Sequence, residues 1–237
     1  MTRTYDLTTG SLAKHFMRLA VPAAIGMVFS TLYNVVDVFF AGMIGTDAQA
    51  GLAISFQAFF IFVTIGFGLS AAMTALVGNA IGAKKTKDAS IIAAQGIGFS
   101  IVTSVLLIVA ARFIGPHLLA IISTEGAYRA AGEAYFMILI LSLPGFIMGY
   151  GLNGILQAQG DTVSMQYALI GAFFANIGLN PLMMFGIPGI WGGLGFDGIA
   201  AATVISQTGV MVCIGFRLMR SSLFDSKTLN NIVPNLA

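Results

Sequence analysis

Charge is what this sequence has least of: 8% of its residues are Asp, Glu, Lys or Arg, against about 25% in an ordinary soluble domain. So little charge argues against a water-soluble fold. The nine acidic and eleven basic residues leave a net charge of +2, too small and too dispersed for a nucleic-acid surface. Cysteine is nearly missing too: Cys213 stands alone in an apolar run, so there is neither a disulfide framework nor a thiolate metal cluster. His15 and His117 sit at the edges of apolar runs and no His-Glu-x-x-His string occurs. An intramembrane enzyme would need a serine–histidine pair, paired aspartates or a metal motif, so enzymatic activity is not expected. The N-terminal apolar stretch far exceeds a signal-peptide core and has no small-residue cleavage site behind it. It reads as a retained first span.

What is present is hydrophobicity, at 57% of the chain. A helix rising 1.5 Å per residue needs roughly 20 apolar residues to cross about 30 Å of hydrocarbon. Six runs meet that length: Leu19 to Met43, Ala50 to Ile81, Ala89 to Ile114, Ala134 to Leu156, Val163 to Phe185 and Gly198 to Met219. The breaks between them run from Gly45 to Gln49, Gly82 to Asp88, Gly115 to Glu133, Gln157 to Thr162 and Gly186 to Asp197. Strands of a membrane barrel would alternate apolar and polar residues over about ten positions. These runs do not alternate, and the expected fold is an all-α membrane protein, a six-helix bundle. Gly78 with Gly82 and Gly145 with Gly149 have the spacing that lets helix backbones approach. Pro22 and Pro144 fall inside the first and fourth runs, where each should kink its helix.

Lysine and arginine near short loops tend to stay cytoplasmic. Arg3, Lys14 and Arg18 precede the first span, Lys84, Lys85 and Lys87 join the second to the third, and Arg217, Arg220 and Lys227 follow the sixth. Six spans put all three clusters on one face and leave only Arg112 and Arg129 on the other. Both termini are expected in the cytoplasm and the chain in the plasma (inner) membrane. Residues 1–18 then form a cytoplasmic segment, 19–219 the transmembrane lobe and 220–237 a cytoplasmic, linker-like tail.

One acid lies well inside a span. Asp37 follows Tyr33-Asn34-Val35-Val36 in the first run, and a carboxylate at such depth costs about 2.5 kcal/mol or more. It must face the bundle or a watery cavity, and be paired, hydrated or protonated. Nineteen residues after Arg18, it lies about 28 Å along a straight helix, in the outer half of the membrane. Counting from Val163 places Asn176 and Asn180 roughly 20 and 26 Å into the fifth span, and Thr203 is about 9 Å inward from Asp197. These counts converge on one layer. Asn176 and Asn180 share a helical face, and Pro181 loosens the backbone beside them. Amides, a hydroxyl and a carboxylate are hard oxygen ligands, suited to sodium at Asp37, Asn176 and Asn180 or to a protonated acid. Tyr33, Asn34 and Gln57 extend the polar set as candidates. The nineteen phenylalanines read as lipid-facing or packing residues rather than substrate-stacking ones.

These residues resemble the multidrug and toxin extrusion (MATE) transporters. The resemblance is carried by Tyr33-Asn34-Val35-Val36-Asp37 with Phe40-Ala41-Gly42, by Ala80-Ile81-Gly82-Ala83-Lys84, and by Asn153-Gly154-Ile155-Leu156-Gln157-Ala158-Gln159-Gly160-Asp161-Thr162. Ala175-Asn176, Asn180-Pro181 and Gly198-Ile199-Ala200-Ala201-Ala202-Thr203 complete it. The resemblance implies one lobe of a two-lobe, twelve-helix fold and an antiporter that exports amphipathic, often cationic organic compounds against sodium ions or protons. It implies a cation site at Asp37 with Asn176, Asn180 and Thr203, and a further member at Asn153, although the depth count sets Asn153 in the inner half. Some members carry a second acid in the fifth span where this sequence has Asn180. No cofactor is implied beyond the coupling ion.

Family members are about twice as long, and the chain ends in Asn230-Asn231-Ile232-Val233-Pro234-Asn235-Leu236-Ala237, where a link between lobes would begin. The expected partners are therefore the bilayer, a small organic substrate, and a missing second lobe or a second copy of the chain. A lipid-linked precursor flippase is the alternative within transport, but it would want basic residues inside the bundle, and none is found there. A noncatalytic membrane assembly subunit is the third reading.

Overall fold

The computed structural model describes residues 11–223, without the side chains at 12–16, 18, 19 and 23. The basic residues Arg3 and Lys227 and the 230–237 tail lie outside the described residues, as do the side chains of Lys14 and Arg18. Seven α-helices form: α1 Leu12–Ile44, α2 Thr46–Gly82, α3 Thr86–Ile122, α4 Ala127–Leu139, α5 Leu143–Ala158, α6 Ser164–Phe185 and α7 Asp197–Met219. A 3-10 turn over Ile140–Ser142 joins α4 to α5 in one span. Six helical segments are thus long and apolar enough to cross a membrane.

Three breaks are shorter than the sequence implies. Gly45 alone separates α1 from α2, at φ 153°, where a side chain would be strained. Asp47 then sits in the first turn of α2, where the helix dipole favours a negative charge. The expected gap from Gly115 to Glu133 closes to Ser123–Gly126. Helix α3 runs through Pro116, and the polar Arg129 and Glu133 pair at 2.9 Å one turn apart on α4, so neither ends a helix. Between α2 and α3 only Ala83–Lys85 intervene, with Lys84 in the left-handed region at φ 59°.

Pro22 leaves α1 continuous. Pro144, by contrast, sits in the first turn of α5, where its missing N–H is least costly. The 3-10 turn before it tightens the backbone, with Leu143 N–H donating to Ile140 O and Ser142 Oγ–H donating to Leu139 O at 2.6 Å. This fourth span is the most enclosed: 61% of the residues in its apolar stretch are buried, against 17% in that of the first span. It packs on α2, α3 and α7, while α1 leans on α6 and α2.

The expected glycine contacts are redistributed. A methyl group at Gly149 or Gly82 would meet nothing within 4 Å, whereas one at Gly145 would meet the Gln207 backbone at 2.8 Å. One unforeseen close approach is between α2 and α4, where a methyl at Gly51 would lie 2.8 Å from Tyr128 O and 2.9 Å from Gly132 N. Ser55 Oγ–H bridges that contact, 2.7 Å from both Gly51 O and Gly132 O.

Two contacts fix which ends coincide. Arg217, near the end of α7, meets Asp161, just after α5, at 2.9 Å, and Ser90 near the start of α3 donates to Leu223 O at 2.8 Å. The Lys84, Lys85 and Lys87 loop therefore shares an end with Arg217 and Arg220, and Arg112 and Arg129 lie toward the other end.

Candidate functional site

Three helices bring the polar layer together near the end away from the lysine loop. Asp37 is seven residues before the end of α1, Asn180 five before the end of α6 and Thr203 six after the start of α7, depths of about 8–11 Å. Asp37, Asn176, Asn180 and Thr203 are all fully buried. Asn180 Nδ2–H donates to Asp37 Oδ1 at 2.8 Å and to Asn176 Oδ1 at 3.0 Å, which uses both protons of that amide. Thr203 Oγ1 lies 3.2 Å from Asp37 Oδ2 and 3.2 Å from Ile199 O. Its single proton is therefore shared between the carboxyl group and its own helix.

The arrangement leaves a carboxyl group with two neutral donors and no basic partner. No Lys or Arg among the described residues is buried. Asn176 Nδ2 and Asn180 Oδ1 are buried without a hydrogen-bond partner, an arrangement that costs about 1–3 kcal/mol per group. Asp37, Asn176 and Asn180 thus present hard oxygen atoms around a negative charge, a donor set that fits a small cation or a proton.

Sequence reasoning missed two members, Ser206 and Tyr135, which stand beside the candidate Tyr33. Tyr33 is buried and its hydroxyl lies 2.6 Å from Ser206 Oγ; Ser206 in turn donates to Ala202 O at 2.7 Å, so the phenol donates to the serine. Tyr135 on α4 is fully buried with no hydrogen-bond partner for its hydroxyl, lies within electrostatic reach of Asp37, and stacks on Phe196 at 4.9 Å. Serine and tyrosine are ordinary helix residues, and no spacing marks these two.

Beneath this layer lies a cavity of about 130 Å³ whose wall includes Tyr33, Asn34, Phe56, Phe59, Phe60, Phe67, Phe146, Tyr150 and Thr203. Five of the nineteen phenylalanines line it, a position the sequence did not single out. Asn34 is exposed and donates to Ser30 O at 3.0 Å; it reaches the cavity but not the Asp37 cluster. Gln57 is exposed, off the buried face of α2 formed by Ser55, Ala58, Phe59 and Phe62, and does not join the site. Asn153 is also set apart. Gly145 lies against Gln207 and Gly215 against Leu152, so α5 and α7 run side by side in parallel. Asn153 then sits level with Gly215, about 18 Å inward of Thr203.

Comparison with known proteins agrees with this architecture. The family described as MatE matches residues 22–182. A probable multidrug resistance protein, YoeA of Bacillus subtilis, is 26% identical over 215 residues, 88% of this chain and 46% of its own length. A probable multidrug resistance protein, NorM of Thermotoga maritima, is 25% identical over 87% of this chain and 45% of its own. An FAD transporter of Shewanella oneidensis is 24% identical over 95% and 51% respectively. Among solved structures, a multidrug resistance MATE family transporter of the MOP superfamily in an outward-facing conformation superposes with a TM-score of 0.79 at 22% identity, covering 94% of this chain and 51% of that one. A MATE structure in complex with MaL6 gives 0.81 at 23% identity. The chain spans about half the length of the curated relatives it matches, and its six spans have the fold of an N-terminal lobe. By its matched residues and its fold, this chain belongs to the MatE family of membrane transporters.

Proposed function

We propose that the chain supplies the ion-coupling lobe of an antiporter that exports amphipathic organic cations against sodium ions or protons. The single observation that carries this reading is a shared wall: Tyr33 and Thr203 line the aromatic cavity while bonding to Ser206 and Asp37 in the polar layer. An ion or proton at Asp37 changes the hydrogen-bonding demand on Thr203, and through it the cavity where an organic cation would lie. Either ligand then biases the same helix arrangement, and the coupling is reciprocal. The apolar, aromatic cavity beside an acid suits a cationic amphipath, and the lack of buried basic residues among the described residues disfavours a phosphate-bearing lipid precursor.

In this reading the lysine loop and the ends of the chain face the cytoplasm. A second six-helix lobe, on the same polypeptide or a second copy, completes the transport path. The test is Asp37→Asn in the intact transporter, reconstituted in proteoliposomes with a sodium or a pH gradient imposed separately. Efflux of a fluorescent organic cation should lose its dependence on one of the two gradients, by about 5–150-fold. Gradient-driven efflux at the parental rate would overturn the assignment.

A further inference from the structure

On the far side of the lobe from the aromatic cavity, α3 and the turn between α4 and α5 enclose a groove of about 390 Å³. Its floor is Ile108, Val109, Met137, Ile140 and Leu141, and its one charged wall residue is Arg112. The 3-10 turn over Ile140–Ser142 supplies Ile140 and Leu141 to its lining. Register between the two elements is set by Gly115, whose missing side chain admits the ring of Phe136.

Depth gives the arginine its meaning. Ala89 is the first apolar residue after Lys87 and Asp88 in the first turn of α3, and Arg112, twenty-three residues beyond it, lies about 34 Å farther along the helix, against roughly 30 Å of hydrocarbon. Its guanidinium therefore stands at the headgroup level of the opposite leaflet while the groove beneath it lies at acyl-chain depth. Among the described residues Arg112 makes no ion pair: the nearest acid along α4, Glu133, lies about two turns farther out and is engaged by Arg129 at 2.9 Å. We propose that this groove is a binding site for one anionic phospholipid, an acyl chain lying along Ile108, Val109, Met137 and Ile140 and its phosphodiester held by Arg112. Planar guanidinium geometry suits two oxygens of a phosphate. A lipid such as phosphatidylglycerol brings no cationic group to compete for that phosphate, whereas phosphatidylcholine does.

The test is native mass spectrometry of the full chain in detergent with equimolar dioleoyl phosphatidylglycerol and dioleoyl phosphatidylcholine. One phosphatidylglycerol should survive activation that strips the other lipid. Arg112→Gln should weaken its retention about fivefold, the worth of about 1 kcal/mol for a basic residue at a membrane surface, and Arg112→Lys should restore part of it. Leu141→Trp, filling the groove, should lower retention of both lipids with Arg112 intact, and Arg220→Gln, at the opposite end, should change neither. Inorganic phosphate in excess should not displace the bound lipid; displacement would mean that a free anion, not a lipid, is the ligand. Equal stripping of the two lipids, or the same preference in Arg112→Gln, would reduce the groove to ordinary solvating lipid and overturn the proposal. Each variant is compared at matched monodispersity on sizing, so a folding defect is read separately.

Discussion

At the scale of single residues, the argument rests on how few donors Asp37 has. A buried carboxylate usually collects several hydrogen bonds or a basic partner; here it has Asn180 at 2.8 Å and Thr203 at 3.2 Å. Removing Thr203's hydroxyl should therefore cost more than a neutral hydrogen bond. Thr203→Val is expected to destabilise the folded chain by about 1.5–3 kcal/mol, the range for a bond to a charged group, and Thr203→Ser by much less. In an Asp37→Asn background the Thr203→Val cost should fall to about 1 kcal/mol or below, since the acceptor is neutral. Reversible unfolding in mixed micelles measures all four combinations, and an equal cost in both backgrounds would show that Thr203 serves only its own helix through Ile199. The convergence of Asp37, Asn176, Asn180 and Thr203 was legible in the sequence because helices convert residue counts into depth. Tyr135 and Ser206 were not, because depth says nothing about which way a common residue faces. The same ignorance of facing let Gln57 into the candidate set and kept the cavity phenylalanines out.

Among the elements, spacing alone proves a weak guide to where helices touch. Gly145 and Gly149 look equivalent in the sequence, yet a methyl at the first would press on the Gln207 backbone at 2.8 Å and one at the second would meet nothing within 4 Å. Gly145→Ala should push α5 from α7 and cost about 1–3 kcal/mol, as overpacking does. Gly149→Ala should stay within about 0.5 kcal/mol of the parent, like other substitutions away from packed features. Thermal unfolding of the two variants in one detergent distinguishes them, and similar losses at both positions would mean that α5 and α7 are not in the register described. The six spans themselves were readable because hydrocarbon sets a minimum length for each. Their ends were harder to place. Gly115 and Pro116 look like a break, but α3 is already stabilised along its length by packing on α2 and α5, and a proline there costs less than ending the helix. A turn as short as Gly45 leaves no polar stretch to be read.

For the molecule as a whole, the proposed function makes one linked system of the polar layer and the aromatic cavity, which share Tyr33 and Thr203 as a wall. If Asp37 and the cavity bias the same helix arrangement, an ion that lowers the affinity for an organic cation must have its own affinity lowered by the same factor. That factor should lie at about 5–150-fold, the usual range for coupled sites. Trp191, the single tryptophan, stands in the loop between α6 and α7, where its carbonyl accepts from Ile187 N–H at 3.0 Å. That loop leads into Phe196, which stacks on Tyr135 beside the polar layer, so Trp191 emission is positioned to report changes at the layer. Titrating a fluorescence-silent organic cation at saturating and at zero sodium, and again across a range of pH, should give two different midpoints for one of the two ions. Phe67→Ala should weaken the organic cation while leaving the ion midpoint unchanged, because Phe67 lines the cavity with its ring 4.5 Å from that of Tyr150 and is no hydrogen-bonding member of the Asp37 cluster. Asp37→Asn should do the converse, erasing the ion dependence while the cavity still binds. Were each ligand's midpoint indifferent to the other, the wall formed by Tyr33 and Thr203 would be shared in space but not in free energy, and the lobe could not couple an ion gradient to export.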